Sequence, residues 1–362
     1  MAPSAQRILM LNSEHGWRGG EHQLLLLLRG LSADTPALTV CQPASPLAAA
    51  LGEAGQAALP MAMRGQLHLR AAWAIRRAIR EHAIALVHAH TSHAHSLAAL
   101  ACHGTGVPLV VSRRVDFPLK RGWFAHWKYA QAVTRYAAVS QAVARVLIAG
   151  GVAPEHIEVI HDGIDFARFP PLASTLRREF ALPTAAIAIG IVAQLTDHKD
   201  HATLLAAFAE VCRTRDDCWL FIIGQGELEG ELKRQAAGLA LTRVVFTGFR
   251  SDIANLLRGL DIAVLSSHLE GLGSSLMDAM YCSLPVVATR AGGIPELIAD
   301  GSDGLLVGVR DAPELAGALL RLAGDPGLRR ALGAAAHATA LKRFSAATMA
   351  AGYQALYRRL LG

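Results

Sequence analysis

Asp261-Ile-Ala-Val-Leu-Ser-Ser-His-Leu-Glu-Gly-Leu-Gly-Ser-Ser-Leu-Met-Asp-Ala-Met280 reads as a short strand, a glycine-rich loop and the start of a helix, in that order. Ile262 to Leu265 is apolar without alternation, the pattern of a strand covered on both faces. The loop carries Glu270, Gly271, Leu272 and Gly273, and a helix is expected from Ser274 or Ser275. Strand–turn–helix units of this kind build parallel α/β sheets, whose ligands sit beyond the carboxyl ends of the strands. A helix start offers unpaired N–H groups and a partial positive charge, which suit a phosphate, and glycines let the backbone approach it.

The same unit recurs on both sides of this stretch. Toward the amino terminus, strands are expected at Arg7–Asn12, Ala37–Gln42, Leu86–His90, Pro108–Ser112, Tyr136–Val139 and Glu158–His161. A second series follows at Ala186–Ala193, Trp219–Ile223, Arg243–Thr247, Asp261–Ser266, Pro285–Thr289 and Gly304–Val307. Helical patterns such as Glu21–Leu31, Leu69–His82, Gln141–Gly150, His201–Arg213 and Leu228–Leu239 lie between them. Two series imply two doubly wound, Rossmann-like α/β domains, 1–165 and 166–345, divided near His161-Asp-Gly-Ile-Asp165 and Pro170-Pro171. Residues 346–362 read as a terminal helix with Met349, Tyr353, Leu356, Tyr357 and Leu360 on one stripe.

Composition narrows the function. Of the 362 residues, 52% are hydrophobic and 18% charged, enough for two buried cores. Mean hydropathy is positive, but the richest apolar runs fall short of the roughly 18 residues that cross a bilayer. No secretory leader is recognisable at Arg7–Asn12, so a cytoplasmic location is expected. The five cysteines are scattered without a Cys-x-x-Cys pair, which fits reduced core thiols. The net charge of +6 favours an anionic partner: a sugar nucleotide, an acidic lipid or a nucleic acid.

The residues around Glu270 resemble the retaining glycosyltransferases of family 4, or group 1, whose hallmark is Glu-x7-Glu within Glu-Gly-[Phe/Leu]-Gly. Here the pattern is Glu270-x7-Asp278. The resemblance extends over nearly the whole chain: His161-Asp-Gly-Ile-Asp165 with Arg168-Phe169, Ile223-Gly-Gln-Gly-Glu227, Phe246-Thr-Gly-Phe-Arg250, Gly-Ile-Pro-Glu at 293–296 and Asp300 to Val307 follow the family order. It implies the GT-B architecture, two Rossmann-like domains facing each other across a cleft, with the terminal helix returning to the first domain. It implies a donor site in which Glu270 contacts the sugar, Gly271, Leu272, Gly273, Ser274 and Ser275 hold the diphosphate, Asp278 binds the ribose, and Gly248, Phe249 and Arg250 meet the base. Asp278 has a second reading. Ser275-x-x-Asp278 resembles a capping box, with the carboxylate in the first helical turn.

The family pairs an Arg and a Lys five residues apart after the first strand of its second domain, both on the donor diphosphate. Lys199 matches the Lys, while Gln194 replaces the Arg and removes one cation. Arg18 or Arg250 is a candidate to compensate. A fixed cation there stabilises charge that builds on the leaving phosphate. The alternative is a solvated surface lysine.

In the first half, Ser13-Glu-His-Gly-Trp-Arg-Gly-Gly-Glu21 lacks the Gly-x-Gly-x-x-Gly dinucleotide fingerprint but resembles the family's Gly-Gly-x-Glu loop through Gly19 and Gly20. His88 and His90 end a strand on one side of its sheet. His90 is the candidate catalytic imidazole and His88 the structural one. A metal reading for His88, His90, His93 and His95 lacks a matching acid or cysteine nearby, and no Asp-x-Asp occurs, so no metal and no cofactor beyond the donor substrate are expected. Arg113 and Arg114 are candidates for an acidic acceptor. Lys120 to Tyr129 and Arg64 to Arg80 are basic and aromatic, suited either to an anionic membrane surface or to ordinary surface helices. No nucleic-acid module accompanies them.

The expected function is sugar transfer from a nucleotide diphosphate to an acceptor hydroxyl, metal-independent, in lipopolysaccharide or other envelope glycan synthesis. The competing readings are an epimerase or phosphorylase on the same architecture, or a sugar-nucleotide-binding protein without catalysis.

Overall fold

The unalternating apolar runs form two wholly parallel sheets, as strands covered on both faces do. The computed structural model describes residues 6–32, 34–119 and 122–362, and of Phe124 the backbone alone. The first sheet holds β1 (Arg7–Leu11), β2 (Ala37–Cys41), β3 (Ala58–Pro60), β4 (Ile84–Ala89), β5 (Leu109–Arg113), β6 (Arg135–Ala138) and β7 (Ile157–Val159). Its order is β3-β2-β1-β4-β5-β6-β7. The second holds β8 (Ile187–Val192), β9 (Cys218–Ile223), β10 (Val244–Gly248), β11 (Ile262–Leu265), β12 (Val286–Thr289) and β13 (Leu305–Val307), in the order β10-β9-β8-β11-β12-β13. Each sheet therefore reverses its winding once, between β1 and β4 in the first and between β8 and β11 in the second. Loops leaving such neighbours diverge and leave a crevice at the strand ends.

Among the strands, β3 is the one without a counterpart in the sequence reading. It has three residues, two of them exposed, and ends on a proline at the sheet edge, so no hydrophobic pattern announces it.

Residues up to Gly163 form one unit together with Ala346–Gly362, and Ile164–Ser345 form the other. In the first unit, Met349, Tyr353, Leu356 and Tyr357 of the terminal helix join a core with Ile8, Met10, Leu24, Leu27 and Leu86. Burial of each such side chain contributes about 1.5–3 kcal/mol, which holds the last residues of the chain to its first strands. All five cysteines are free thiols. Among the described residues no helix is long and apolar enough to cross a membrane.

Candidate functional sites at the two switch points

In the second unit, the loops after β8 and β11 carry Lys199 and Glu270, and the two side chains form an ion pair. The pair is largely enclosed, at 18% and 12% exposure. The Ser267 hydroxyl donates to the Glu270 carboxylate at 3.2 Å, and the Gly293 N–H donates to the Glu270 carbonyl at 3.0 Å. Across the crevice, the Ser266 hydroxyl donates to the Lys199 carbonyl at 2.9 Å, and the His268 N–H to the His198 carbonyl at 2.9 Å. The loop after β9 closes on the same place. A Cβ on Gly226 would lie 2.3 Å from the Leu195 carbonyl oxygen, so only glycine fits that contact. Two segments far apart in sequence are thus fixed against each other by their strand order.

The helix Ser274–Tyr281 begins directly after the Glu270 loop. Gly273 precedes it at φ +100°, a left-handed conformation that favours glycine, and supplies no side chain to cap it. Elsewhere Ser45, Thr91, Ser140, Asp200, Asp311 and Asp325 each cap a helix by accepting an N–H three residues on. The Ser274 start carries no such cap, which suits an incoming anion. Gly271 and Leu272 are buried beneath it, Ser274 is exposed and Ser275 is half-buried.

The capping-box reading of Asp278 is corrected here. The helix opens at Ser274 without an acid in its first turn, so Asp278 stands one turn further in and caps nothing. Its carboxylate instead lies 3.8 Å from the Arg168 guanidinium. Burial pushes the Asp278 carboxyl up to about 6, against the opposing pull of Arg168. Where the ionised carboxylate holds a ribose, as the resemblance implies, that hold weakens as pH falls through this value. Donor KM should rise below about pH 6, and Asp278→Asn should flatten the profile at uniformly weaker affinity. The sign for stability is opposite. Between the ordinary carboxylate range and about 6 the folded chain holds more protons than the unfolded one, so stability declines as pH rises through that window. A pH series of donor KM checks the first expectation and melting curves the second.

Of the other expected donor residues, Gly248 accepts the Gly224 N–H through its carbonyl at 3.0 Å, and Phe249 is 69% exposed, its ring open to stacking. Arg250, one candidate to make up for the missing cation, is already paired. Its guanidinium is clasped by Asp252 at 2.8 Å and by Glu179 at 2.5 Å, two carboxylates for one charge. Gln194 is exposed at the end of β8.

The first unit repeats the arrangement. The loop after β1 and the end of β4 meet at the switch point, where the His90 N–H donates to the Leu11 carbonyl at 2.9 Å. The Ser13 and Thr91 hydroxyls bond at 2.6 Å. Gly19 and Gly20 are the first two residues of the helix Gly19–Gly30 rather than its approaching loop. Glu21 holds that start in place, accepting from Asn12 Nδ2 at 2.8 Å and from the Arg18 N–H at 3.0 Å. A Cβ on Gly20 would meet nothing within 4 Å, so the helix start is open.

His88 is a core residue, as the reading of the sequence had it. Its Nδ1 bonds the Tyr357 hydroxyl at 2.6 Å and its Nε2 the Ser112 hydroxyl at 2.8 Å, and Ser112 continues to Tyr353 at 2.9 Å. His90 lies against it, ring centroids 3.9 Å apart. Burial first, then the Arg114 charge, holds the His88 imidazole well below its usual range. His90 is likewise depressed by burial, then by His88 and Arg114. His95 bonds the Lys128 carbonyl at 3.2 Å, and among the described residues no three His, Cys, Asp or Glu side chains group as metal ligands do.

Arg114 points inward, its Nε donating to Asp162 at 3.0 Å and its Nη1 3.5 Å from His90 Nδ1. Arg113 donates to the carbonyls of Val115 and Phe117 at 3.0 and 2.6 Å. Both guanidinium groups, the candidates for an acidic acceptor, thus make bonds within the unit. His90 Nε2 and Arg114 Nη2 are nevertheless buried without a partner among the described groups. Of the basic aromatic segment, Lys120 and Arg121 lie outside the described residues, while Lys128 and Tyr129 are buried. Arg168, Asp162, Ser267, Tyr353 and Tyr357 had no assigned role in the sequence reading. The one available signal was the spacing of the two tyrosines on the terminal stripe, which reads equally well as packing.

Two parallel α/β domains, each with a polar site at its switch point, define the class. The family comparison agrees. The model described as glycosyl transferases group 1 matches residues 173–339, and glycosyltransferase family 4 matches residues 17–168. The chain belongs to the group 1 glycosyltransferases. It is 33% identical over 220 residues to D-inositol 3-phosphate glycosyltransferase of Corynebacterium kroppenstedtii, covering 56% of this chain and 48% of that protein. It is 28% identical to the lipopolysaccharide core biosynthesis glycosyltransferase LpsD of Rhizobium meliloti, over 69% of each. The chain spans about half the length of the first of these curated relatives. The crystal structure of Anabaena HepE in complex with UDP and glucose superposes with a TM-score of 0.86 at 23% identity, covering 98% of this chain and 100% of that one, and so shares the GT-B fold.

Proposed function

We propose that the chain transfers a sugar from a nucleotide diphosphate to an acceptor hydroxyl, with the donor held by the second unit. The observation that carries this reading is the enclosed Lys199–Glu270 pair beside an uncapped, glycine-started helix at the β8/β11 switch point. Breaking the glycosidic bond leaves negative charge on the diphosphate, and a fixed ammonium and a helix start are groups that stabilise it. Glu270 is assigned to orient the sugar, Asp278 to take the ribose hydroxyls and the exposed Phe249 ring to stack on the base.

Gly19, Gly20 and His90 are assigned to ligand contact on the first unit. Arg114 is kept as an acceptor contact through its unpartnered Nη2. Retention of configuration follows family membership, and transfer is assigned to side chains and backbone without a metal. The reaction is placed in the cytoplasm, with an envelope glycan or lipid-linked acceptor met at an anionic membrane surface. The lipopolysaccharide-core name of the Rhizobium relative and the UDP bound in HepE support this setting and make UDP-sugars the first donors to try.

Melting curves with UDP-, GDP- and ADP-sugars test it. One nucleotide sugar should stabilise the protein and be consumed only when an acceptor is added. Consumption without acceptor indicates an epimerase, and stabilisation without any turnover indicates a binding protein.

A further inference from the structure

We infer that Arg114 is a positioning residue for His90: it holds the imidazole as the neutral Nε2–H tautomer, so that His90 serves its ligand as a hydrogen-bond donor and not as a base. The inference rests on the proposed function, which assigns His90 to ligand contact on the first unit, and it specifies what that contact is. His90 Nδ1 lies 3.5 Å from Arg114 Nη1. A guanidinium has N–H donors and no acceptor, so the imidazole nitrogen that meets it must accept. A neutral imidazole has one accepting and one donating nitrogen, which puts the His90 proton on Nε2. That nitrogen is the one buried without a partner among the described groups.

The surroundings keep this state. His90 is 7% exposed. Burial first, then His88 and Arg114, hold its imidazole well below the usual range, so it stays neutral near neutral pH. Burial also opposes the Arg114 charge, but Asp162, which accepts from Arg114 Nε at 3.0 Å, keeps the guanidinium protonated. Behind His90 stands His88, ring centroids 3.9 Å apart. His88 is clamped between the Tyr357 and Ser112 hydroxyls, at 2.6 and 2.8 Å. Hydroxyls donate or accept, so they hold the His88 ring without selecting its tautomer. The guanidinium at His90 leaves no such freedom.

The unpartnered nitrogen then has a proton to share and no lone pair. It neither takes a proton from an acceptor hydroxyl nor ligates a metal. It pairs with an oxygen that has lone pairs to offer: a hydroxyl, carboxylate or phosphate oxygen of the ligand. Arg114 Nη2, also buried without a partner among the described groups, is a second donor of the same kind. A carboxylate in place of Arg114 would put the proton on Nδ1 and make Nε2 the base, as in catalytic triads. The cation at residue 114 reverses that assignment.

The test joins the nitrogen NMR spectrum of the histidine-labelled full chain to the turnover of variants. The resonances lost in His90→Gln are those of His90. In the wild type near neutral pH they should show a protonated Nε2 and an unprotonated Nδ1. Arg114→Lys, another pure donor, should keep that tautomer. Arg114→Gln, whose amide also accepts, and Arg114→Leu with Asp162→Asn, which removes both buried charges together, should admit the Nδ1–H form. His90→Ala should lower sugar transfer about a hundredfold. His90→Gln, whose amide supplies an N–H, should stay within about tenfold of wild type. His90→Glu, which supplies a base and no donor, should be as poor as His90→Ala. An Nδ1–H or doubly protonated His90 in the wild type, an unchanged tautomer in both Arg114→Gln and the charge-free double variant, or more transfer by His90→Glu than by His90→Gln overturns the inference. A wild-type protein that transfers no sugar from any nucleotide donor sinks the proposed function alone, since the spectra still report the tautomer and what sets it.

Discussion

Replacing Glu270 by Gln should reduce sugar transfer roughly a thousandfold while the protein stays folded. The carboxylate is held from three sides: by the Lys199 ammonium, by the Ser267 hydroxyl at 3.2 Å, and by its own backbone, whose carbonyl accepts the Gly293 N–H. The amide keeps the shape and one acceptor oxygen, so the loop conformation survives. What disappears is the charge that pairs with Lys199 and that the proposed function sets against the sugar. An ammonium left with a neutral partner at low exposure costs about 1–3 kcal/mol, a melting shift of a few degrees. Transfer and stability therefore separate by orders of magnitude if Glu270 contacts the reacting sugar. If instead it is only a brace for the loop, activity follows the fraction folded. Turnover within a few-fold of wild type, in a variant that melts normally, would falsify the donor-sugar role.

The sequence exposed the fold more fully than the site, for a physical reason. Strands β8 and β11 are apolar on both faces, so the hydrophobic pattern alone locates them, and after β11 Gly273 marks a turn that few other residues can make. Register and strand order come from pairing between distant segments. That is why the meeting of Lys199 with Glu270, 71 positions apart, was inferred from a family pattern and not from spacing. At Asp278 the ribose reading came from the family pattern, and only the alternative came from local spacing. A local pattern suggested a cap, yet the helix starts at Ser274 and the carboxylate turns to Arg168, a residue 110 positions earlier. Arg114 was read as a candidate for an acidic acceptor, and nothing near it in sequence hints at Asp162, its buried partner at 3.0 Å. The short edge strand β3 was missed because two of its three residues face solvent.

The second large effect is expected at Lys199. The family resemblance implies an arginine and a lysine on the diphosphate, and Gln194 supplies no charge, so in the proposed donor site the work of that pair falls to Lys199. Lys199→Ala should lower turnover by about a hundredfold to a thousandfold, with kcat falling more than donor affinity. The split follows from timing: charge on the leaving phosphate develops as the bond breaks, so the ammonium interacts more strongly with the transition state than with the bound donor. Because Lys199 and Glu270 are bonded to each other, the double variant with Glu270→Gln should be hardly worse than the poorer single variant. Restoring a cation at the other position gives the most direct check. Gln194→Arg in the Lys199→Ala background should recover about tenfold of the lost turnover, since a guanidinium there can reach the same anion with two donors. A lysine that merely braces Glu270 would not be rescued by a charge introduced at residue 194. Absence of recovery, together with additive losses in the double variant, would move Lys199 from the leaving group to the scaffold.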